Sequence, residues 1–241
     1  MTIANKFNEE VLRIWKCEHI TATLAPSQYP VNHFQEGVRL LVLGMNPSFG
    51  EAWIQDQISS GLGLGLANAH LVAKEVYGWD PIGGPHNPEQ LLKIEAHAFK
   101  EYRKYFNAIK NFAEEVSCLD SYTHFDLFHS RMTDQRMFKK TLFEGGILRD
   151  SAMKQIDLTR ATLLQIHPKA VVIANAEASR MAVDYLKLQY VDNQRTQCVM
   201  PGLHKTRFFL SGMLSGGAMD EFSHRRLVAD VSAYLSESAD T

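Results

Sequence analysis

Residues 39–50, Arg-Leu-Leu-Val-Leu-Gly-Met-Asn-Pro-Ser-Phe-Gly, decide the fold. The apolar half of this stretch is continuous, which is typical of a strand buried on both faces of a parallel sheet. The strand breaks abruptly at Gly44, and Pro47 biases the preceding Asn46 away from helical geometry. Because open α/β sheets bind ligands just beyond the carboxyl ends of their strands, the sequence predicts that Asn46 lies at a ligand site. The alternative is an ordinary turn, since Asn-Pro pairs often begin one.

Predicted strands alternate with predicted helices along the rest of the chain. Buried strands are predicted at 38–45, 123–128, 170–174 and 207–210, and amphipathic helices at 6–20, 90–117, 151–166, 175–188 and 221–236. Residues 46–92 are predicted to be largely irregular, with one helix within 66–77. This alternation indicates a single α/β domain over residues 1–241, a three-layer α/β/α sandwich with a central, mostly parallel four-stranded sheet.

Composition and charge narrow the class of protein. The apolar fraction of 45% and the charged fraction of 22% are ordinary for a soluble globular protein. No segment has the roughly 18 uninterrupted apolar residues of a membrane span, and residues 1–10 do not resemble a secretory signal. The three cysteines are far apart and show no zinc-type spacing. We therefore expect a cytoplasmic protein with no metal site and no association with membranes.

The formal net charge of -2 does not favour bulk attraction to nucleic acid, so DNA binding would need local basic patches. Residues 129–140 form the strongest candidate, because they carry four full positive charges against one negative charge. Smaller clusters occur at 204–207 and 224–226. Solvated faces of ordinary proteins contain similar runs, so a patch of this kind is compatible with DNA binding without establishing it.

With these motifs in order, the chain resembles the uracil-DNA glycosylase superfamily. Residues 44–48 look like the first active-site motif of its single-strand-selective and mismatch-specific branches. Residues 125–131 are similar to the middle strand, where an Asn or Asp precedes an apolar pair. Residues 151–186 follow the family's helix-Pro-strand-helix pattern, and residues 211–217 occupy the place of its second motif. The resemblance covers roughly residues 36–236.

The resemblance implies a role for each matching residue. Asn46 would position the attacking water, and Asp126 would face the edge of the base; these are the implied catalytic residues. The implied substrate contacts are Gly44, Met45, Pro47, Ser48, Phe49 (stacked on the base), His129 and Ser211. The implied DNA contacts are Arg131, Arg136, Lys139, His204, Gly212, Met213, Leu214 and Ser215. Met213 or Leu214 would fill the vacated base stack, although either could equally anchor the loop to its own domain.

The chain departs from the family pattern at informative positions. The second motif lacks the His or Asn that many relatives aim at the leaving base, and His129 or His204 could substitute for it. Asp126 stands where many relatives place an Asn, and a carboxylate accepts hydrogen bonds without donating any. The cysteines that hold an iron–sulfur cluster in some branches are absent, so no cofactor is implied.

The resemblance implies a monomeric DNA glycosylase of base-excision repair, which hydrolyses the N-glycosidic bond of uracil or another deaminated base in DNA. The alternative is a catalytically weak or inactive member of the superfamily that binds DNA or a nucleotide. An unrelated α/β hydrolase or transferase is a third possibility. No Gly-x-Ser-x-Gly elbow, Walker loop or metal-ligand spacing in the sequence favours it.

Overall fold

The structure is a computed structural model that describes residues 1–17, 24–47, 50–60, 73–214 and 219–237. The chain separates into two compact units. Unit 1 comprises Met1–His33, Asn46–Tyr102 and Phe128–Leu158, and unit 2 comprises Phe34–Met45, Arg103–Leu127 and Thr159–Thr241.

The elements are numbered along the chain. The helices within the described residues are α1 (Ile3–Cys17), α2 (Glu51–Ser60), α3 (Ala73–Val76), α4 (Pro88–Glu101), α5 (Arg103–Glu115), α6 (Gln135–Leu142), α7 (Asp150–Ile166), α8 (Ala176–Tyr185) and α9 (Glu221–Glu237). The strands are β1 (Leu40–Gly44), β2 (Trp79–Asp80), β3 (Gly84–Pro85), β4 (Tyr122–Asp126), β5 (Phe143–Glu144), β6 (Ile147–Leu148), β7 (Ala170–Ala174), β8 (Gln189–Tyr190), β9 (Gln197–Met200) and β10 (Leu203–Ser211).

Unit 2 contains a mixed six-stranded sheet flanked by helices, in the order β4-β1-β7-β10-β9-β8. β4, β1, β7 and β10 are parallel, whereas β9 and β8 run antiparallel to their neighbours. The prediction of an α/β fold is therefore confirmed. The prediction of four strands is wrong, because the sheet also contains the two strands of the β8–β9 hairpin. The hairpin strands are only two and four residues long, so neither contains a long apolar run. It depends on Asp192, whose carboxylate accepts hydrogen bonds from the backbone N–H groups of Thr196 and Gln197.

The core of unit 2 explains why its strands are continuously apolar. Residues of one sheet face pack with α5 and α9 in a single buried cluster, to which the strands contribute Leu40, Val42, Ala170, Val172 and Phe209. The alternate residues point to the opposite face. They are also completely buried: Leu41, Leu43, Val171 and Ile173. Both faces of the parallel strands are thus covered, as the sequence predicts for β1 and β7.

Unit 1 consists mainly of helices. Two of them, α2 and α6, were not predicted from the sequence. α2 lies in the stretch predicted to be irregular. α6 begins after Asp134, whose side chain accepts hydrogen bonds from the backbone N–H groups of Arg136 and Met137. An Asp at this position is a recognisable N-cap, so this signal was available. The predicted helix 90–117 is two helices, because Tyr102 leaves helical geometry (φ -78°, ψ 74°) between α4 and α5.

None of the helices in the described part of the chain is both long enough and apolar enough to span a bilayer. All three cysteines are free, with Cys17 exposed and Cys118 and Cys198 buried. Burial raises the pKa of Cys198 to about 11.

Candidate functional site

The strand order in unit 2 defines where a ligand site is expected. β1 lies between β4, the next parallel strand along the chain, and β7, the one after it. The winding direction of the sheet therefore reverses beside β1. In doubly wound sheets the ligand crevice lies outside the carboxyl ends of the strands at this reversal. Here the reversal lies between β1 and β7, whose carboxyl ends are Gly44 and Ala174, and Asp126 ends β4 on the other side of β1.

Asp126 and Gly44 are register partners on these two strands. The side chain of Asp126 is buried and lies against the Cα of Gly44, so closely that a Cβ at position 44 would collide with Oδ1 of Asp126. The hydroxyl of Tyr105, on α5, would be only 3.2 Å from the same Cβ. Glycine is therefore required at the end of β1 because a carboxylate and a phenol occupy the space beside it.

His124 completes this cluster of unit 2. Its Nε2 atom lies 3.7 Å from Oδ1 of Asp126 and 3.4 Å from the Tyr105 hydroxyl oxygen. The His124 ring packs edge to face against the rings of Tyr105 and Phe106, at 5.7 and 5.6 Å between centroids. Sequence reasoning found Asp126 but missed His124 and Tyr105. A signal existed for His124, since residues two apart on a strand face the same side of the sheet.

Asn46 belongs to unit 1, where it is nearly completely buried. Its amide nitrogen donates to the carbonyl oxygens of Met132 at 2.8 Å and of Ser130 and Pro47 at 3.2 Å. Three carbonyl groups around one end of the amide identify that end as the NH2 group. Oδ1 accepts a hydrogen bond from Nε2 of Gln135 at 2.9 Å, and no other described residue bonds to it. The described residues thus occupy one of the two acceptor positions on Oδ1.

His129 and Arg131 do not occupy the positions predicted for them. His129 is fully buried in unit 1, against the ring of Phe7 and 3.4 Å from the Ser27 hydroxyl. Burial and the charge of Arg131 lower the pKa of His129 to about 3, so it is a neutral core residue rather than a substrate contact. The side chain of Arg131 is 5% exposed, because it pairs with Glu95 and lies over the Tyr77 ring. It therefore cannot contact a phosphate in this arrangement.

Three of the other predicted DNA contacts are on the surface of one unit or the other. In unit 1, Arg136 on α6 is exposed and forms no ion pair with any described residue, and Lys139 is partly exposed on the same helix. In unit 2, His204 is exposed on β10. The basic face of α6, which we define as Arg136, Lys139 and Lys140, is the largest remaining positive segment of the predicted set.

The segment after β10 is only partly consistent with its predicted role. Ser211 ends β10, three strands along from Asp126 in the sheet, a separation of about 14 Å. The two side chains are therefore too far apart to bind one base. Leu214 packs on the core of unit 2, as expected of a loop anchor, whereas Met213 is 42% exposed. A Cβ added at Gly212 would meet none of the described atoms within 4 Å.

Three other predicted substrate or DNA contacts, Ser48, Phe49 and Ser215, lie outside the described residues. Met45 is buried in unit 2, and the carbonyl group of Pro47 accepts hydrogen bonds from Asn46 and from the backbone N–H of Met132 in unit 1. Among the described residues, no group of three or more His, Cys, Asp or Glu side chains is placed to hold a metal ion.

Comparison with known proteins gives no relative: no protein-family model matches the chain, and no curated protein matches it. The functional argument therefore depends on the residues of this chain.

Proposed function

We propose that this protein is a DNA glycosylase that releases uracil or another deaminated base. The observation that carries the proposal is the buried carboxylate of Asp126, placed at the carboxyl end of β4, a parallel strand that pairs with β1. Buried ionisable groups at this position of an α/β sheet are good candidates for a functional site. The resemblance of residues 44–48 and 125–131 to glycosylase motifs supports the choice of reaction.

In the proposed reaction Asp126 reads the edge of the extruded base. Its carboxylate accepts hydrogen bonds, so it favours a base edge that presents N–H groups over one that presents a carbonyl oxygen. The Tyr105 hydroxyl beside it can donate as well as accept, and it supplies the donor that a carboxylate lacks. Extruding the base costs a few kcal/mol, which binding to the DNA must offset.

Within unit 1, the resemblance to the glycosylase motif implies that Asn46 positions the attacking water. With its NH2 group held by three carbonyl oxygens, Oδ1 has a fixed direction and can accept a hydrogen bond from one water molecule. The water adds across the N-glycosidic bond, leaving an abasic site and the free base. Such a reaction depends on positioning and on stabilising the departing anion more than on proton transfer by side chains.

The test is a base-release assay on oligonucleotides carrying uracil, hypoxanthine, xanthine or a thymine mismatch, in single and double strands. We expect abasic sites with at least one of them, and a loss of about 100-fold or more on replacing Asp126 with Ala. The matched control is Asp120→Ala, which removes an exposed carboxylate of unit 2 near the start of β4. No release from any substrate, or equal release by Asp126→Ala, contradicts the proposal.

One observation favours a second candidate, a protein that binds DNA without releasing a base. Gln135 already uses one acceptor position of Asn46 Oδ1, and the amide nitrogen is fully engaged by the loop. In this second candidate, Asn46 has a purely structural role. Oligonucleotide binding without base release, abolished by neutralising the basic face of α6, selects this candidate. Undetectable binding at low salt excludes both candidates.

A further inference from the structure

Unit 2 contains a cavity of about 390 Å³ beside the carboxyl end of β10, which the proposed glycosylase reaction does not use. Its apolar floor includes Phe209 and Leu227, and its walls come from the start of α8, from Thr196 and from the first turns of α9. The volume lies within the range of about 300–1,000 Å³ that is usual for small-molecule sites.

The hydroxyl groups that the described residues contribute to the cavity wall present only acceptors to a ligand. Each of the four hydroxyls already donates its proton to a protein oxygen: Ser179 to the Ser211 carbonyl at 3.3 Å, Ser211 to the Gly212 carbonyl at 2.9 Å, Thr196 to Asp192 at 2.7 Å, and Ser223 to Asp220 at 2.6 Å. A hydroxyl has a single proton, so the atoms left for a ligand are oxygen lone pairs. The wall therefore favours a ligand rich in N–H donors.

Two opposite charges face this cavity and have no partner among the described residues. Arg226 and Asp230 both line it, one helical turn apart on α9. Among the described residues neither forms an ion pair or a side-chain hydrogen bond. The neighbouring Arg225 does pair, with Glu221, and Asp220 is engaged by the backbone N–H and hydroxyl of Ser223. Arg226 and Asp230 are thus the two charges of the cavity that a ligand can neutralise.

We propose that this cavity binds a small zwitterion that carries a carboxylate and an ammonium group, the chemistry of a free amino acid. Arg226 pairs with the carboxylate, and its planar guanidinium suits that geometry. Asp230 pairs with the ammonium group, whose other N–H donors meet the hydroxyl oxygens. A phosphate ester is disfavoured, because apart from Arg226 the polar side chains of the wall offer it only acceptors and carboxylates. The site is independent of the proposed base release.

The first test uses the unmodified full chain, labelled with ¹⁵N and titrated with each of the standard amino acids by NMR. We expect at least one amino acid to shift resonances of residues around the cavity. Its N-acetyl derivative and its carboxamide derivative, which each lack one charge, should bind at least about tenfold more weakly. Binding of no amino acid overturns the proposal, as does equal binding of either blocked derivative.

The second test uses variants on α9. Arg226→Gln and Asp230→Asn should each weaken binding of that amino acid at least about tenfold, because each leaves one ligand charge unpaired. Arg225→Gln, which removes the same charge one residue away and outside the cavity, should leave binding unchanged. Equal effects of Arg225→Gln and Arg226→Gln contradict the assignment. Deoxyuridine monophosphate binding at these residues, with no amino acid bound, would assign the cavity to a nucleotide and overturn the proposal.

Discussion

Gly44 and Asp126 are directly opposite each other on adjacent parallel strands, and the Asp126 carboxylate occupies the space where a side chain at position 44 would begin. We expect Gly44→Ala to destabilise the protein by about 1–3 kcal/mol, the usual cost of overpacking a buried position. Urea unfolding measures this loss. In Gly212→Ala the new methyl group meets no atom of the described residues within 4 Å, so this control should be nearly neutral.

A double-mutant cycle separates the collision with Asp126 from other effects of Gly44→Ala. If the carboxylate is the obstacle, combining Gly44→Ala with Asp126→Ala should recover part of the lost stability. Strictly additive losses in the two single variants would show that Asp126 is not what restricts position 44.

The buried pair of Arg131 and Glu95 leads to a prediction about stability. Removing one partner leaves the other charge buried and uncompensated, so Arg131→Met should cost about 3–5 kcal/mol. Replacing both, as Arg131→Met with Glu95→Leu, should recover much of this loss. Urea unfolding of the single and double variants is the measurement. A near-neutral Arg131→Met would contradict the burial of this ion pair.

A different prediction concerns DNA binding by the basic face of α6. Neutralising the exposed Arg136 as Arg136→Gln should lower the slope of log affinity against log salt by about 1, the value for one phosphate contact. Arg131→Lys, which retains a positive charge at a buried position, should leave the slope unchanged. Affinities of a labelled oligonucleotide over a salt series distinguish them. An unchanged slope for Arg136→Gln removes this face from the DNA interface.

The burial of His129 leads to a prediction about how the stability of the protein depends on pH. Burial lowers its pKa from 6.5 to about 3, so the unfolded chain binds a proton there more readily than the folded chain does. Its contribution is complete above the unfolded pKa and is lost as the pH falls from 6.5 towards 3. His129→Phe should reduce the slope of unfolding free energy in this window by up to about 1.4 kcal/mol per pH unit. His204→Gln, at an exposed position, is the control. Equal slopes for the wild type and His129→Phe would contradict this prediction.

The sequence predicted the elements whose patterns are strong and well bounded. β7 occupies 170–174 as predicted, because an uninterrupted apolar run lies between Pro168 and Asn175. α7 and α9 begin and end within one residue of their predicted bounds. The break between α4 and α5 could not be predicted, since the apolar periodicity continues across Tyr102. A change in backbone geometry at one residue leaves no trace in such a pattern.

The candidate site was predictable only in part. Asp126 was found because it ends a strand, but the sequence could not show that Tyr105, on a separate helix, would lie beside it. Charge was the least reliable guide. Arg131 belongs to the most basic segment of the chain, yet its partner Glu95 is 36 residues away, so its burial could not be inferred. The sequence around His129 likewise does not indicate that this residue packs against an aromatic ring.

The β8–β9 hairpin has a consequence for how the protein behaves at high concentration. A long edge strand with unpaired backbone groups is a template to which further chains can pair and aggregate. The edge strand on this side of the sheet, β8, is only two residues long and pairs with β9 through Gln189 and Tyr190. Such a short margin offers a neighbouring molecule few backbone groups to pair with. Deleting the hairpin would expose the nine-residue β10 in its place, and we expect the truncated chain to associate and precipitate.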